Sequence, residues 1–305
     1  MCEPSFSQKV KEEIISNINS VNKADACILG ILICINVLSR NEITLLTETK
    51  SVADFFQFNI DRICGENSVN IQTTDRRGGL VLYSLSLSEK DKREKLLDFF
   101  QLSDDRSYSR KNYPKKNLYP FMIAGMFLSC GSVSDPNKGY HLEFALPDLN
   151  VCNTLGLVLL EQFGMLAKYI ERKNHHVLYF KESENIIDTI ALMGATTSSF
   201  DLMNIKIYKD MRNKINRGVN CVNANIEKSI IAAERQIADI ELIDEKIGIG
   251  SLPENLQQIA MLRYENPDFN LGDLGAALTP PISRSGANHR LKKIAQIASE
   301  LREKQ

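Results

Sequence analysis

Paired thiols and net charge are both scarce in this chain. Its seven cysteines (Cys2, Cys27, Cys34, Cys64, Cys130, Cys152, Cys221) are scattered, with none in a C-x-x-C pair or near a His-x-x-x-His. That argues against a disulfide framework or a structural zinc site and predicts reduced thiols buried as small hydrophobes. His175 and His176 have no third ligand spaced nearby, so they read as hairpin-tip residues rather than metal ligands. A net charge of −1 gives no global attraction for an anionic partner, so any basic surface has to be local. No apolar run approaches the ~20 residues of a bilayer span. The start, MCEPSFSQKVKEEII, lacks the apolar core of a signal peptide. These absences predict a cytoplasmic protein with no membrane partner, no metal and no cofactor.

The 305 residues suffice for two or three domains, each with its own core. Two apolar helical stretches carry a central glycine: ACILGILICINVLS around Gly30, and LYPFMIAGMFLSC (118–130) around Gly125. Glycine inside a helix costs roughly 1 kcal/mol against alanine, so it marks a place where another backbone comes close. A duplicated unit packed helix to helix is the expectation. Before the first copy, Phe6, Val10, Ile14 and Ile18 form a helical stripe. After it come a strand (43–49), a helix (51–64), two strands about a turn at Arg76–Gly79, and a closing helix, EKDKREKLLDFFQL. The second copy repeats that order: a strand at 140–146, a helix from Asp148 to about Phe163, a hairpin over 167–181 turning at Lys173–His175, and SENIIDTIALMG.

Two further segments are basic. DDRSYSRKNYPKKNLYP (104–120) holds Arg106, Arg110, Lys111, Lys115 and Lys116 with Tyr108, Tyr113 and Tyr119. It reads as a solvated linker between repeats, although such a composition could also track a nucleic-acid backbone. Residues 200–240 set Asn213, Asn216, Asn220, Asn223 and Asn225 beside Lys206, Lys209, Arg212, Lys214, Arg217 and Lys228. Asparagine competes with the backbone in helix interiors, which suggests an irregular linker. Its amides near Arg212, Lys214, Arg217 and Lys228 suit phosphates or bases, and the functional reading is favoured. Helical spacing returns from Ile226 to Ile243.

The last module is the clearest. SLPENLQQIAMLRYENPD predicts a helix opening at Pro253 and stopping before Asn266–Pro267. NLGDLGAALTPP predicts a short helix with Leu271, Leu274, Ala277 and Leu278 facing inwards. A third helix follows, with Leu291, Ile294, Ala295 and Ala298 on its core face. Three helices with a tight turn before the last describe a helix-turn-helix. From Ser283 to Lys293 there are four cations and no acid, whereas solvated surface helices usually mix both signs. Arg284, Ser285, Asn288 and His289 stand at the reading end, with Gly286 and Ala287 small enough to let it lie deep in a major groove. Arg290, Lys292 and Lys293 are placed for phosphates.

Aligned on the glycine, ILGILICIN and IAGMFLSCG resemble the LAGLIDADG helices of homing endonucleases. In that family the penultimate motif residue is an acid that holds a divalent metal. Here those positions are Ile35 and Cys130, and neither is a hard oxygen ligand. Asp135 and Glu143 fall after the helix, in a turn and a strand. FLSCGSVSDPNKGYHLEF, DMRNKINRGVNCVNANIEK and LPENLQQIAMLRYENPDFNLGDLGAALTPPISRSGANHRLKKI resemble the WhiA family, most weakly over the first hundred residues. The resemblance implies an α+β fold of two LAGLIDADG-like repeats (αββαββα-type pseudo-dimer) followed by an all-α helix-turn-helix domain. The expected divisions are 1–110 and 111–205 for the repeats, 206–250 for a linker and helix, and 251–305 for the last domain.

The family implies a sequence-specific, double-stranded-DNA-binding regulator of cell-division and sporulation genes, nucleoid-associated, with other regulators or RNA polymerase as partners. The expected DNA contacts are Arg284, Ser285, Asn288, His289, Arg290, Lys292 and Lys293, with Arg212, Asn213, Asn216, Arg217, Asn220 and Lys228. No catalytic residue is expected. A metal-dependent endonuclease on the same scaffold is the rival, and an RNA-binding or assembly module is the third reading. No F/Y-rich strand signature of RNA recognition is evident.

Overall fold

The computed structural model describes residues 4–39, 41–76, 79–103, 106, 114–172 and 175–303. It divides into two compact units, Met1–Lys209 and Asp210–Gln305. No helix among the described residues is long and apolar enough to cross a membrane.

In the first unit, α1 (Phe6–Ser16) starts at a capping box in which Ser5 and Gln8 satisfy each other's backbone N–H. Then come α2 (Val21–Cys34), β1 (Val37–Leu38), β2 (Ile43–Thr47), α3 (Lys50–Cys64), β3 (Asn70–Arg76), β4 (Leu80–Leu87) and α4 (Lys90–Phe100). The second repeat runs α5 (Tyr119–Cys130), β5 (Gly131–Val133), β6 (Leu142–Leu146), α6 (Leu149–Phe163), β7 (Lys168–Arg172), β8 (His175–Phe180) and α7 (Ser183–Leu192). Each repeat forms an antiparallel sheet of the same topology, β1-β2-β4-β3 and β5-β6-β8-β7. The αββαββα order therefore stands, and the added strand in each copy is β1 or β5, too short to show alternation in the sequence.

Register decides which sheet face is buried. Ile43 pairs with Leu87 and Leu45 with Leu85 in one sheet, and Leu142 pairs with Phe180 and Phe144 with Leu178 in the other. All eight side chains lie in one core shared with α2 and α5. The glycines set that helix pair. A Cβ on Gly30 would stand 2.9 Å from the Met126 nitrogen and closer still to the Met122 carbonyl oxygen. A Cβ on Gly125 would stand 2.7 Å from the Cys27 carbonyl carbon. The expected close backbone approach is present.

Several expectations need correction. The stretch 206–250 holds no irregular linker before its helix, because α8 runs unbroken from Thr196 to Ile247 and the unit boundary falls within it. No proline occurs between Pro147 and Pro253, and each asparagine costs a helix at most ~0.7 kcal/mol, too little to interrupt it. The turn residues Arg77, Gly78, Lys173 and Asn174, and Cys2, Arg110, Lys111, Tyr108 and Tyr113, lie outside the described residues. Of the 104–120 segment, Arg106 and the residues from Pro114 onward are described.

The second unit adds α9 (Glu254–Glu265), α10 (Leu271–Ala277) and α11 (Arg284–Glu303) to the end of α8. Asn270 caps α10 in a capping box with Asp273. The core joins Ile240 and Ile243 of α8 to Leu256, Ile259, Leu274, Leu291 and Ile294. Ala277, expected to face inwards, is exposed, and Ala295 is half-buried. Ala287, expected to slim the reading end, is instead fully buried in this core.

Candidate nucleic-acid interface

The turn between α10 and α11 is built on a glycine. The Ile282 N–H donates to the Gly275 carbonyl at 2.9 Å, and a Cβ on Gly275 would stand 2.5 Å from the Ile282 carbonyl oxygen. Ser283 then caps α11, its hydroxyl accepting from the Gly286 N–H at 3.1 Å. Arg284, Ser285 and His289 are exposed at the start of α11, with Lys292 and Lys293 one turn further on. Asn288 is half-buried. Arg290 is also half-buried and donates to the Asn255 carbonyl of α9 at 3.2 Å, so part of its fork is used inside the module.

Sequence reasoning missed Arg263, which is 3% exposed. Its Nη1 donates to the carbonyls of Phe269 (2.7 Å), Pro267 (3.1 Å) and Asn266 (3.4 Å), and so fixes the turn from α9 into α10. Burial lowers its pKa. A charged residue inside the stripe IAMLRY was the signal, since a buried cation has to be satisfied by its surroundings. Asp239, nearly fully buried, pairs with Arg302 at 2.7 Å and joins α8 to the end of α11.

Three of the expected contacts meet in space. Lys228, Asn288 and Lys292 line one groove of about 300 Å³ between α8 and α11, together with Arg235. The side-chain oxygen of Gln236, also in the lining, has no hydrogen-bond partner among the described residues. Arg212, Asn213, Asn216, Arg217 and Asn220 lie on the part of α8 that is exposed from Asp210 to Ala232. At 3.6 residues per turn, Asn213, Arg217, Asn220 and Lys228 share one face of this helix. Arg212 and Asn216 lie off that face.

At the motif helices, Ile35 is fully buried and ends α2, while Cys130 ends α5 with its thiol donating to the Met126 carbonyl at 3.2 Å. Arg106 donates to the Ile33 carbonyl at 2.9 Å and Lys11 to the Leu128 carbonyl at 3.3 Å. One cation thus sits on the partially negative carbonyl end of each motif helix. Burial lowers the pKa of both. The Cys34 thiol is pushed well up by burial, with the Cys130 thiol beside it. Asp135 accepts from the Asn137 N–H at 2.9 Å, which holds its carboxyl below the usual value, and from the Asn137 amide. Glu143 is engaged by His141 at 2.8 Å and Arg172 at 3.2 Å. Among the described residues no group of three His, Cys, Asp or Glu could hold a metal ion.

Fold and site together define a duplicated LAGLIDADG-like scaffold joined to a helix-turn-helix module. The family model for the WhiA LAGLIDADG-like domain matches residues 120–212, and that for the WhiA C-terminal HTH domain matches 215–298. A probable cell division protein WhiA of Lachnospira eligens is 35% identical over 320 residues, covering 98% of each chain. The chain belongs to the WhiA family. A probable cell division protein WhiA of Clostridium perfringens is 47% identical over 188 residues, 62% of this chain, and the match spans only 58% of that relative's length. The crystal structure of full-length DUF199/WhiA from Thermatoga maritima covers 97% of this chain and 99% of its own, with a TM-score of 0.57 at 23% identity, a likeness of fold.

Proposed function

We propose that this protein is a sequence-specific, duplex-DNA-binding transcription regulator linked to cell division and sporulation, without nuclease activity. The observation that carries this reading is the start of α11. It is an exposed helix end carrying Arg284, His289, Lys292 and Lys293 without an acid from Ser283 to Lys293, mounted on a compact core. A recognition helix enters the major groove by its amino-terminal residues, which makes Arg284, Ser285, Asn288 and His289 the base readers. Lys292, Lys293 and Lys228 follow the phosphates, and Asn213, Arg217 and Asn220 extend that track along α8. Arg290 orders the reading helix through Asn255 as well as facing the backbone. The relatives' name, probable cell division protein, supports the cellular assignment. On this reading the protein works at the nucleoid in the cytoplasm, with other regulators or RNA polymerase as partners.

The motif ends support the absence of cleavage. The motif-end residues themselves, the buried Ile35 and the Cys130 thiol, offer no carboxylate, and Lys11 and Arg106 occupy the helix ends, with Glu48 acting on Lys11 and Asp148 on Arg106. Random-oligonucleotide selection tests the whole reading, followed by comparison of duplex DNA, single-stranded DNA and RNA over a salt series. Enrichment of one duplex motif is the expected result. Equal affinity for all three ligands would favour a binding or assembly module instead.

A further inference from the structure

We propose that the exposed segment of α8 is a self-association surface, where a second copy of this chain packs antiparallel through an apolar seam. The seam consists of Met211, Ile215, Val219, Val222, Ile226 and Ile230, each between 51% and 60% exposed. Their spacing is four, four, three, four, four, an eleven-residue repeat that keeps them on one side of the helix over about 30 Å. Soluble proteins rarely leave so long an apolar stripe to water, and a helix of this kind gains most of its stability from packing that face.

The occupant is indicated by symmetry. The spacing reads the same from either end, so an antiparallel copy sets Met211 against Ile230, Ile215 against Ile226 and Val219 against Val222. On one flank that register brings Arg212 to Glu227 of the second copy, and Asn216 to its Asn223. Both pairings occur twice about the two-fold axis, as an isologous interface requires. A parallel copy would instead set Arg212 against Arg212 and Glu227 against Glu227. The seam also ends at a site shaped for its partner. Ile226, Ile230, Ala233, Ile237 and Phe269 line a groove of about 500 Å³, and Met211 of the second copy arrives there with an adaptable side chain.

This surface is separate from the DNA track, because Asn213, Arg217, Asn220 and Lys228 lie on the opposite face of α8. The seam therefore leaves that face open and would present two reading modules per assembly.

Analytical ultracentrifugation of the full chain over a concentration series tests the inference. A reversible dimer is expected, and Val219→Lys is expected to leave monomer with unchanged helical circular dichroism. Arg212→Glu or Glu227→Arg alone should each loosen the dimer by about tenfold, since each places like charges opposite one another twice. The two substitutions combined should restore it. A wild-type monomer at every concentration, or a dimer that survives Val219→Lys, overturns the proposal. Single reversals without rescue in the double variant overturn the antiparallel register. None of these readouts depends on DNA, so loss of the binding reading would leave them intact.

Discussion

Gly125 lies against the backbone of Cys27, and Gly30 stands in the same relation to Met122 and Met126 across the α2–α5 contact. The atoms facing each glycine are backbone, which cannot move aside as a side-chain end can. Gly30→Ala and Gly125→Ala are therefore expected to destabilise the first unit by at least ~1–3 kcal/mol each, and the leucine variants by more. Chemical denaturation of the full chain checks this, and unchanged midpoints for both alanine variants would contradict a close helix pair.

The same two helices carry the second prediction. Lys11 and Arg106 hold the carbonyl ends that lead to Cys130 and Ile35. A divalent cation entering there would meet these two cations and no carboxylate in the motif itself, the acids Glu48 and Asp148 being already engaged with Lys11 and Arg106. Pure protein is expected to leave plasmid DNA intact with magnesium or manganese. Nicking that disappears in Asp135→Asn or Glu143→Gln would overturn that expectation.

How much of this was legible in the sequence depends on the range of the interaction. The glycine helices, the αββαββα order and the three-helix module were readable, because periodicity, capping residues and central glycines are local signals. Asn270 with Asp273, and Pro253 ahead of α9, belong to this class. Relationships set by distant parts of the chain were not readable. Arg263 satisfies three carbonyls of a turn whose path only the folded module defines. Lys11 finds the Leu128 carbonyl 117 residues away. Ala287 looked like a slim surface residue because its burial depends on how α11 settles on the core. The asparagines of α8 misled for another reason: their individual dislike of helices is small, and nothing in the segment breaks the chain. The seam at Met211, Ile215, Val219 and Val222 was present as a pattern but overlooked beside them.

Glu13 links pH to the stability of the first unit. Its carboxylate accepts from the Thr197 N–H at 2.5 Å, the Ser198 N–H at 2.8 Å and the Ser198 hydroxyl at 2.7 Å, and so caps the start of α8. Burial alone would raise its pKa, but these hydrogen bonds hold it below the ordinary 4.5. A folded value below the unfolded one stabilises the protein above pH ~4.5, and this contribution disappears as pH falls through the folded value. Glu13→Gln should therefore lower Tm at neutral pH and narrow its gap to wild type under acid. A gap independent of pH would exclude the linkage.

Arg263 should matter for the module in which it is buried. Arg263→Leu removes the donor to the carbonyls of Asn266, Pro267 and Phe269, and a buried acceptor left unpaired costs about 1–3 kcal/mol. Lower thermal stability with faster amide exchange in α10 is the expected result. Arg263→Lys should recover only part, since an ammonium on a shorter stem does not reach the place of the Nη1 that makes all three bonds. Wild-type exchange in α10 for both variants would show that the turn is held by other contacts.

The start of α11 should read sequence while the remaining cations set affinity. Arg284 and His289 are exposed at the amino-terminal end of the helix, where base edges come within reach. Arginine against a guanine edge is the commonest specific contact, and a good pair discriminates by about 1–3 kcal/mol. Arg284→Ala or His289→Ala should therefore relax preference for the selected motif while leaving binding to unrelated duplexes nearly unchanged. Lys293 and Arg217 are proposed to follow the phosphates, so Lys293→Ala or Arg217→Ala should weaken all sequences alike and flatten the salt slope by about 1. Arg290→Ala is expected to combine both effects, because it also releases the Asn255 carbonyl that steadies the reading helix. Competition binding of each full-length variant against matched and mismatched duplexes separates these outcomes. If Arg284→Ala and His289→Ala keep full discrimination, the reading helix is not α11.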